Sequence, residues 1–145
     1  MANAQNKSDF LTIYEKGNGN QTATYEETIA YFQLLDKNFE TISMEEMGLT
    51  DSGEPLHIVT FNPDKKFDFK KIQKEKAVLL INNGIHPGEP DGIDATMMLF
   101  RDLALGKIKV PKNLVIVNIP IYNIGGALNR NSFSRANQNG PESYG

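Results

Sequence analysis

Residues 77–91 read AVLLINNGIHPGEPD. The apolar run from Ala77 to Ile81 has the length of a buried strand. It ends in Asn82-Asn83-Gly84, a cluster of turn formers. His86-Pro87-Gly88-Glu89-Pro90 follows. Proline excludes an ordinary helix and biases the residue before it toward extended conformation. Those preceding residues are His86 and Glu89, and Gly88 lets the backbone turn between them. The stretch therefore predicts a stiff loop at a strand end that points an imidazole and a carboxylate at one spot. In open α/β sheets, ligands gather beyond the carboxyl ends of strands. Zinc accepts both donor types, so His86 and Glu89 are candidate metal ligands. The competing reading is an ordinary surface turn, since short motifs also match by accident.

The flanking chain supplies a framework for that loop. Thr24-Tyr25-Glu26-Glu27 has the form of a capping box. Tyr25, Ile29, Phe32, Leu35 and Phe39 follow at helical spacing and predict an amphipathic helix. Residues 41–47 and 56–61 read as two strands around a loop rich in turn formers, hence an antiparallel hairpin. His57, at the start of the second strand, reads as a half-buried structural histidine. The lysines of residues 65–76 alternate with Asp68 and Glu75 and predict a solvated connection. Asp91 is expected to be the N-cap of a helix running to Leu105, with Gly106 just past its end. Apolar residues surround that helix on nearly all sides, so burial is expected. Leu114 to Ile121, LVIVNIPI, is a continuous β-branched run of the kind found in central strands covered on both faces. Strand, helix and strand together predict a right-handed parallel βαβ unit. The expected class is α/β, a three-layer sandwich with a mixed, largely parallel β-sheet flanked by helices.

Composition narrows the chemistry. The chain has 145 residues and no cysteine, so disulfides and cysteine-based metal sites are excluded. Its net charge of −3 argues against a nucleic-acid partner, which needs clustered lysine and arginine. No apolar run approaches the roughly 20 residues of a membrane span. Residues 1–21 are polar and predict a flexible lead that docks through Phe10 to Tyr14, leaving 22–145 as the domain proper. The start of the chain lacks the apolar segment of a signal peptide. The protein is therefore expected to be intracellular or, if an export signal has been removed, secreted or periplasmic. Residues 122–145 lose periodicity and carry Arg130 and Arg135. An arginine beside a metal is a natural oxyanion stabiliser, and the residues alone do not choose between these two.

Taken together, these motifs resemble the zinc carboxypeptidases, a metallopeptidase family. The resemblance rests on His86-Pro87-Gly88-Glu89 after Asn82-Asn83-Gly84 and before Asp91-Gly92 and a helix. Glu46 to Leu56 is similar to that family's opening hairpin, and Asn123-Ile124-Gly125-Gly126 to Arg135 to the loop carrying its oxyanion arginine. The match runs from Tyr25 to Arg135. It implies hydrolysis of C-terminal peptide bonds by a zinc-activated water, with His86 and Glu89 as two ligands. Arg135 would polarise the scissile carbonyl and contact the substrate. Carboxypeptidase A holds its metal with two histidines and a glutamate. The family's third ligand, its general-base glutamate and its carboxylate-binding pair all lie downstream of the Arg135 region. His57 precedes the motif and does not match the third ligand.

The resemblance thus implies the N-terminal portion of a catalytic domain, inactive alone. Its LVIVNIPI strand should then be poorly covered and prone to associate through an open sheet edge. Two other functions share this fold: a zinc amidohydrolase acting on acyl-amino acids or peptidoglycan stem peptides, and a non-catalytic binding module.

Overall fold

The computed structural model describes residues 7–86 and 88–130. A 3-10 turn, Lys7–Phe10, leads into helix α1, Ile13–Lys16. Thr12 caps α1 in a capping box with Glu15. Helix α2, Tyr25–Asn38, has the same device in Thr24 and Glu27, as the sequence predicts. Its buried stripe comprises Tyr25, Thr28, Tyr31, Phe32 and Leu35. Ile29 and Phe39 are partly buried against the same core.

The hairpin is present as β1, Ile42–Leu49, and β2, Pro55–Phe61. The two are antiparallel, with Ile42 opposite Phe61 and Glu46 opposite His57. The register shifts between Glu46 and Leu49, where Gly48 takes φ 116°, a conformation that side chains disfavour. Strand β3, Ala77–Asn82, helix α4, Asp91–Ala104, and β4, Leu114–Ile119, form the βαβ unit, with β3 and β4 parallel. Strand order is β1-β2-β4-β3, so the sheet is mixed: β1/β2 and β2/β4 are antiparallel and β4/β3 is parallel. A short helix α5, Ile124–Leu128, follows β4.

Alternation along the strands divides the core between two faces. Ile116, Val59 and Phe61 join Phe32, Leu35, Met97 and Phe100 beneath α2 and α4. The rings of Phe32 and Phe100 meet edge to face, with centroids 5.7 Å apart. Val115 and Val117 face the other way, toward Ile72. Ile72 belongs to a helix, α3, Phe69–Glu75, capped by Asp68. The sequence predicts a solvated connection there. One isoleucine and a partly buried Phe69 suffice to pin the segment as a third layer.

Other details differ from the sequence reading. Pro90 is the N-cap of α4 and Asp91 the first helical residue, so Asp91 does not cap through its side chain. Helix α4 is fully buried along one side and partly buried on most of the rest, with only Asp91 and Ala95 exposed. The fully buried side carries Asp94 and Arg101 beside Ile93, Met97, Phe100 and Leu103. Strand β4 is well covered, and it is β3, at the open edge, whose Val78, Leu79 and Leu80 are exposed. The edge position explains this: one side of the β3 backbone has no strand beside it among the described residues.

Residues 7–21, expected as part of a flexible lead docked through Phe10 to Tyr14, form two helical turns packed on the domain, and Phe10 is the docking residue. Phe10 is buried and stacks at a tilt on Phe39, with centroids 5.0 Å apart. The Tyr31 hydroxyl donates to the Phe10 carbonyl at 2.9 Å. Arg101, 1% exposed, pairs with Glu15 and Asp102. Burial alone would raise the Glu15 pKa. Hydrogen bonds from Lys7, the Thr12 backbone and Arg101 outweigh it and hold the carboxyl at about 2.

Candidate functional site

The site lies beyond the carboxyl ends of the parallel pair β3 and β4. Both strands continue their pairing past the sheet: Asn83 N–H donates to the Ile119 carbonyl, Tyr122 N–H to Asn83 and Asn123 N–H to Gly84. Gly84 sits at φ 60°, where an added Cβ would stand 3.0 Å from the Ile121 Cα. The chain then turns. Glu89 N–H donates to the His86 carbonyl at 2.9 Å and closes a four-residue turn. This sequence suits such a turn, since proline is favoured at the second position.

The turn brings the two side chains together. His86 Nδ1 lies 3.5 Å from Glu89 Oε2, with the side chains 57% and 40% exposed. They open into a depression also lined by Asn82, Ile85, Asp91 and Gly92. The separation is long for a strong direct hydrogen bond. It is close to the distance of about 3.3 Å between two donors that share a tetrahedral zinc at usual bond lengths. On donor type and spacing, His86 and Glu89 fit two positions of such an ion. Among the described residues no third histidine or carboxylate completes a metal-binding group.

A buried amide network supports the loop from below. Asn83 Nδ2 donates to Asn118 Oδ1 at 2.8 Å and to Thr96 Oγ1 at 3.0 Å. Thr96 in turn donates to the Gly92 carbonyl at 2.8 Å. Asn83 and Asn118 are 8% and 0% exposed, so their partners are required. Gly92 is equally constrained, because an added Cβ would lie 2.4 Å from Asn83 Oδ1. None of these supports stands out in the sequence. The only signal is polar residues at otherwise apolar positions, Asn118 within β4 and Thr96 on the buried face of α4.

The remaining described candidates, Arg130 and His57, lie elsewhere. Arg130 donates to the Ala23 carbonyl at 2.8 Å and contributes positive charge near Asp94, so it ties the end of α5 to the start of α2. Asp94 accepts from the Thr22 hydroxyl. Burial pushes its carboxyl pKa up, offset in part by Thr22, the Ala23 backbone and Arg130. Arg135 lies outside the described residues. His57 is 5% exposed, more buried than the sequence implies, with Nε2 3.9 Å from Glu46 Oε1. It points to this carboxylate on the hairpin and does not join His86 and Glu89 in a metal-binding group.

No protein-family model matches the sequence, and no curated protein sequence does. Solved structures do. Carboxypeptidase A from Helicoverpa armigera superposes with TM-score 0.64 at 21% identity, over 75% of this chain and 26% of that one. Bovine thrombin-activatable fibrinolysis inhibitor, solved with a tick carboxypeptidase inhibitor, gives TM-score 0.60 at 15% identity, over 74% of this chain and 33% of that one. The chain thus spans about a quarter to a third of the length of these structures. No helix among the described residues is long and apolar enough to cross a membrane. What the likeness shows is the fold: a mixed sheet flanked by helices, shared with the carboxypeptidases.

Proposed function

We propose that this chain is the N-terminal portion of a zinc-dependent metallocarboxypeptidase, with residues 22–145 contributing to its catalytic domain. The observation that carries the reading is the 3.5 Å approach of His86 Nδ1 to Glu89 Oε2 at the carboxyl ends of two parallel strands. The substrate is a peptide, cleaved at its C-terminal bond.

His86 and Glu89 would hold the metal. Zinc, when bound, supplies Lewis acidity and a nucleophile that is available at neutral pH. The protein's part is to fix the two donors. The turn hydrogen bond between residues 86 and 89 sets their spacing. The Asn83–Thr96–Asn118 network holds the loop against α4, so the donors need little reorganisation. Arg135 is proposed to face the substrate carbonyl and stabilise the charge that develops there.

The test is a zinc titration of chelator-treated chain beside His86→Ala and Glu89→Gln variants, followed by calorimetry. Weak one-to-one binding that both substitutions abolish is expected from two donors. Binding indifferent to either substitution overturns the site and favours a non-catalytic module. Detectable C-terminal hydrolysis by the 145-residue chain would refute the expectation that it is inactive alone.

A further inference from the structure

The depression around His86 and Glu89 has a lopsided charge. Among the described residues its lining includes the acidic Glu89 and Asp91 and no lysine or arginine. Asn83, at its floor, is committed to Thr96 and Asn118. His86 and Glu89 are the proposed metal ligands. Asp91 is different. It is exposed at the first residue of α4. Its side chain makes no hydrogen bond or ion pair with the described residues. An acidic residue in a first helical turn ordinarily serves the helix dipole. Nothing in that role requires it to line a depression beside two metal-ligand candidates, two residues beyond Glu89.

Once Glu89 shares its charge with a cation, Asp91 is the remaining carboxylate among the described residues of the depression, and none of those residues is a lysine or arginine. We infer that Asp91 is a specificity-determining residue that favours peptides presenting a cationic nitrogen beside the scissile bond, either a side-chain ammonium or a free α-amino group. The inference rests on the peptidase reading and deepens it. An exposed carboxylate and ammonium about 4 Å apart in water attract by an amount worth about a fivefold preference, and added salt should erode it.

The test is binding, so it does not depend on turnover. Isotope-labelled chain, with zinc and at low salt, is titrated with acetyl-norleucyl-alanine, acetyl-lysyl-alanine and norleucyl-alanine. Amide shifts of residues 84–92 are followed by NMR. At least one cationic peptide is expected to bind about fivefold more tightly than the acetylated norleucine peptide. The stronger of the two cationic probes identifies which nitrogen is read. Asp91→Asn should remove the preference while leaving the thermal midpoint close to that of the parent, and Asp91→Glu should retain it. Equal affinities, a preference that survives in Asp91→Asn, or binding of none of the probes overturns the inference. His86-dependent zinc binding without charge preference would sink the role of Asp91 alone and leave the peptidase reading standing. A preference abolished by Asp91→Asn in a chain whose zinc binding ignores His86 would support Asp91 and count against that reading.

Discussion

Two ionisable residues, one buried and one partly buried, carry opposite lessons about desolvation. His57 is nearly dry, and burial pulls its pKa below 6.5, with Glu46 and the Pro55 backbone opposing. The neutral ring is therefore the folded form. Its contribution to stability is fully present above pH 6.5 and is lost as pH falls through the lower folded value. An NMR titration should find the His57 ring titrating below 6.5, and lower still in Glu46→Gln, because the larger of its two favourable charges, Glu46 and Glu54, is removed. A value at or above 6.5 would contradict the burial argument. Glu15 is the reverse case, an acid held at about 2 by Lys7, the Thr12 backbone and Arg101 against the cost of its burial. Its stabilisation is complete above the ordinary value of 4.5 and disappears as pH falls toward 2. Glu15→Gln should cost about 3 kcal/mol at pH 7, measured by denaturant unfolding, with the deficit shrinking below pH 4. A deficit independent of pH would mean that packing, not charge, is what the substitution removes.

At the level of elements, local codes were legible and long-range ones were not. The α2 cap is written in four consecutive residues, and the His86–Glu89 convergence in a four-residue turn. Both can be read by spacing. The supports of that turn pair residues 13 and 35 apart in the chain, so spacing says nothing about them. Helix α3 is not legible in the sequence because its lysines set the average, whereas Ile72 and Phe69 set the fold. The sequence places the α4 cap one position late, at Asp91, because Pro90 cannot continue a helix backward yet serves well at its entrance. The hidden supports make a sharp prediction. Gly92→Ala drives a Cβ toward Asn83 Oδ1 and should break the amide network, costing about 2–3 kcal/mol and weakening zinc binding together. Loss of stability with zinc affinity intact would disconnect the network from the site. The β3 edge makes another. Val78, Leu79 and Leu80 are 45%, 48% and 58% exposed on an open strand without charge or proline. We propose that this edge drives self-association. Light scattering should show larger species at high concentration, reduced in Leu80→Lys, where a charge on the edge discourages pairing. Equal association by both chains would place the contact elsewhere.

The whole molecule is tied together by its N-terminal residues more than composition suggests. A polar, glycine-rich lead reads as mostly flexible because only the short Phe10–Tyr14 patch, with no periodic stripe, announces a docking contact. What holds it is instead a few specific contacts: the buried Phe10 ring against Phe39, the Tyr31 hydroxyl on the Phe10 carbonyl, and Glu15 on Arg101. Each partner lies on α2, just beyond it, or on α4, the helix that begins at the candidate site. The lead therefore closes the layer that supports the His86–Glu89 loop from behind. Deleting residues 1–21 would expose Phe39 and Tyr31 and leave the Arg101 charge with Asp102 alone. Breaking one side of a buried pair costs about 3–5 kcal/mol before any apolar loss is added. In a chain of this size that lowers the thermal midpoint by about 10 °C or more. A lead that merely trailed in solvent would leave the midpoint unchanged. The two explanations of a fall, lost packing and stranded charge, separate in a second variant. Arg101→Leu in the shortened chain removes the stranded guanidinium while keeping an apolar side chain in its place. Partial recovery of the midpoint would identify the charge as the larger loss; no recovery would assign it to Phe10 and the aromatic contacts.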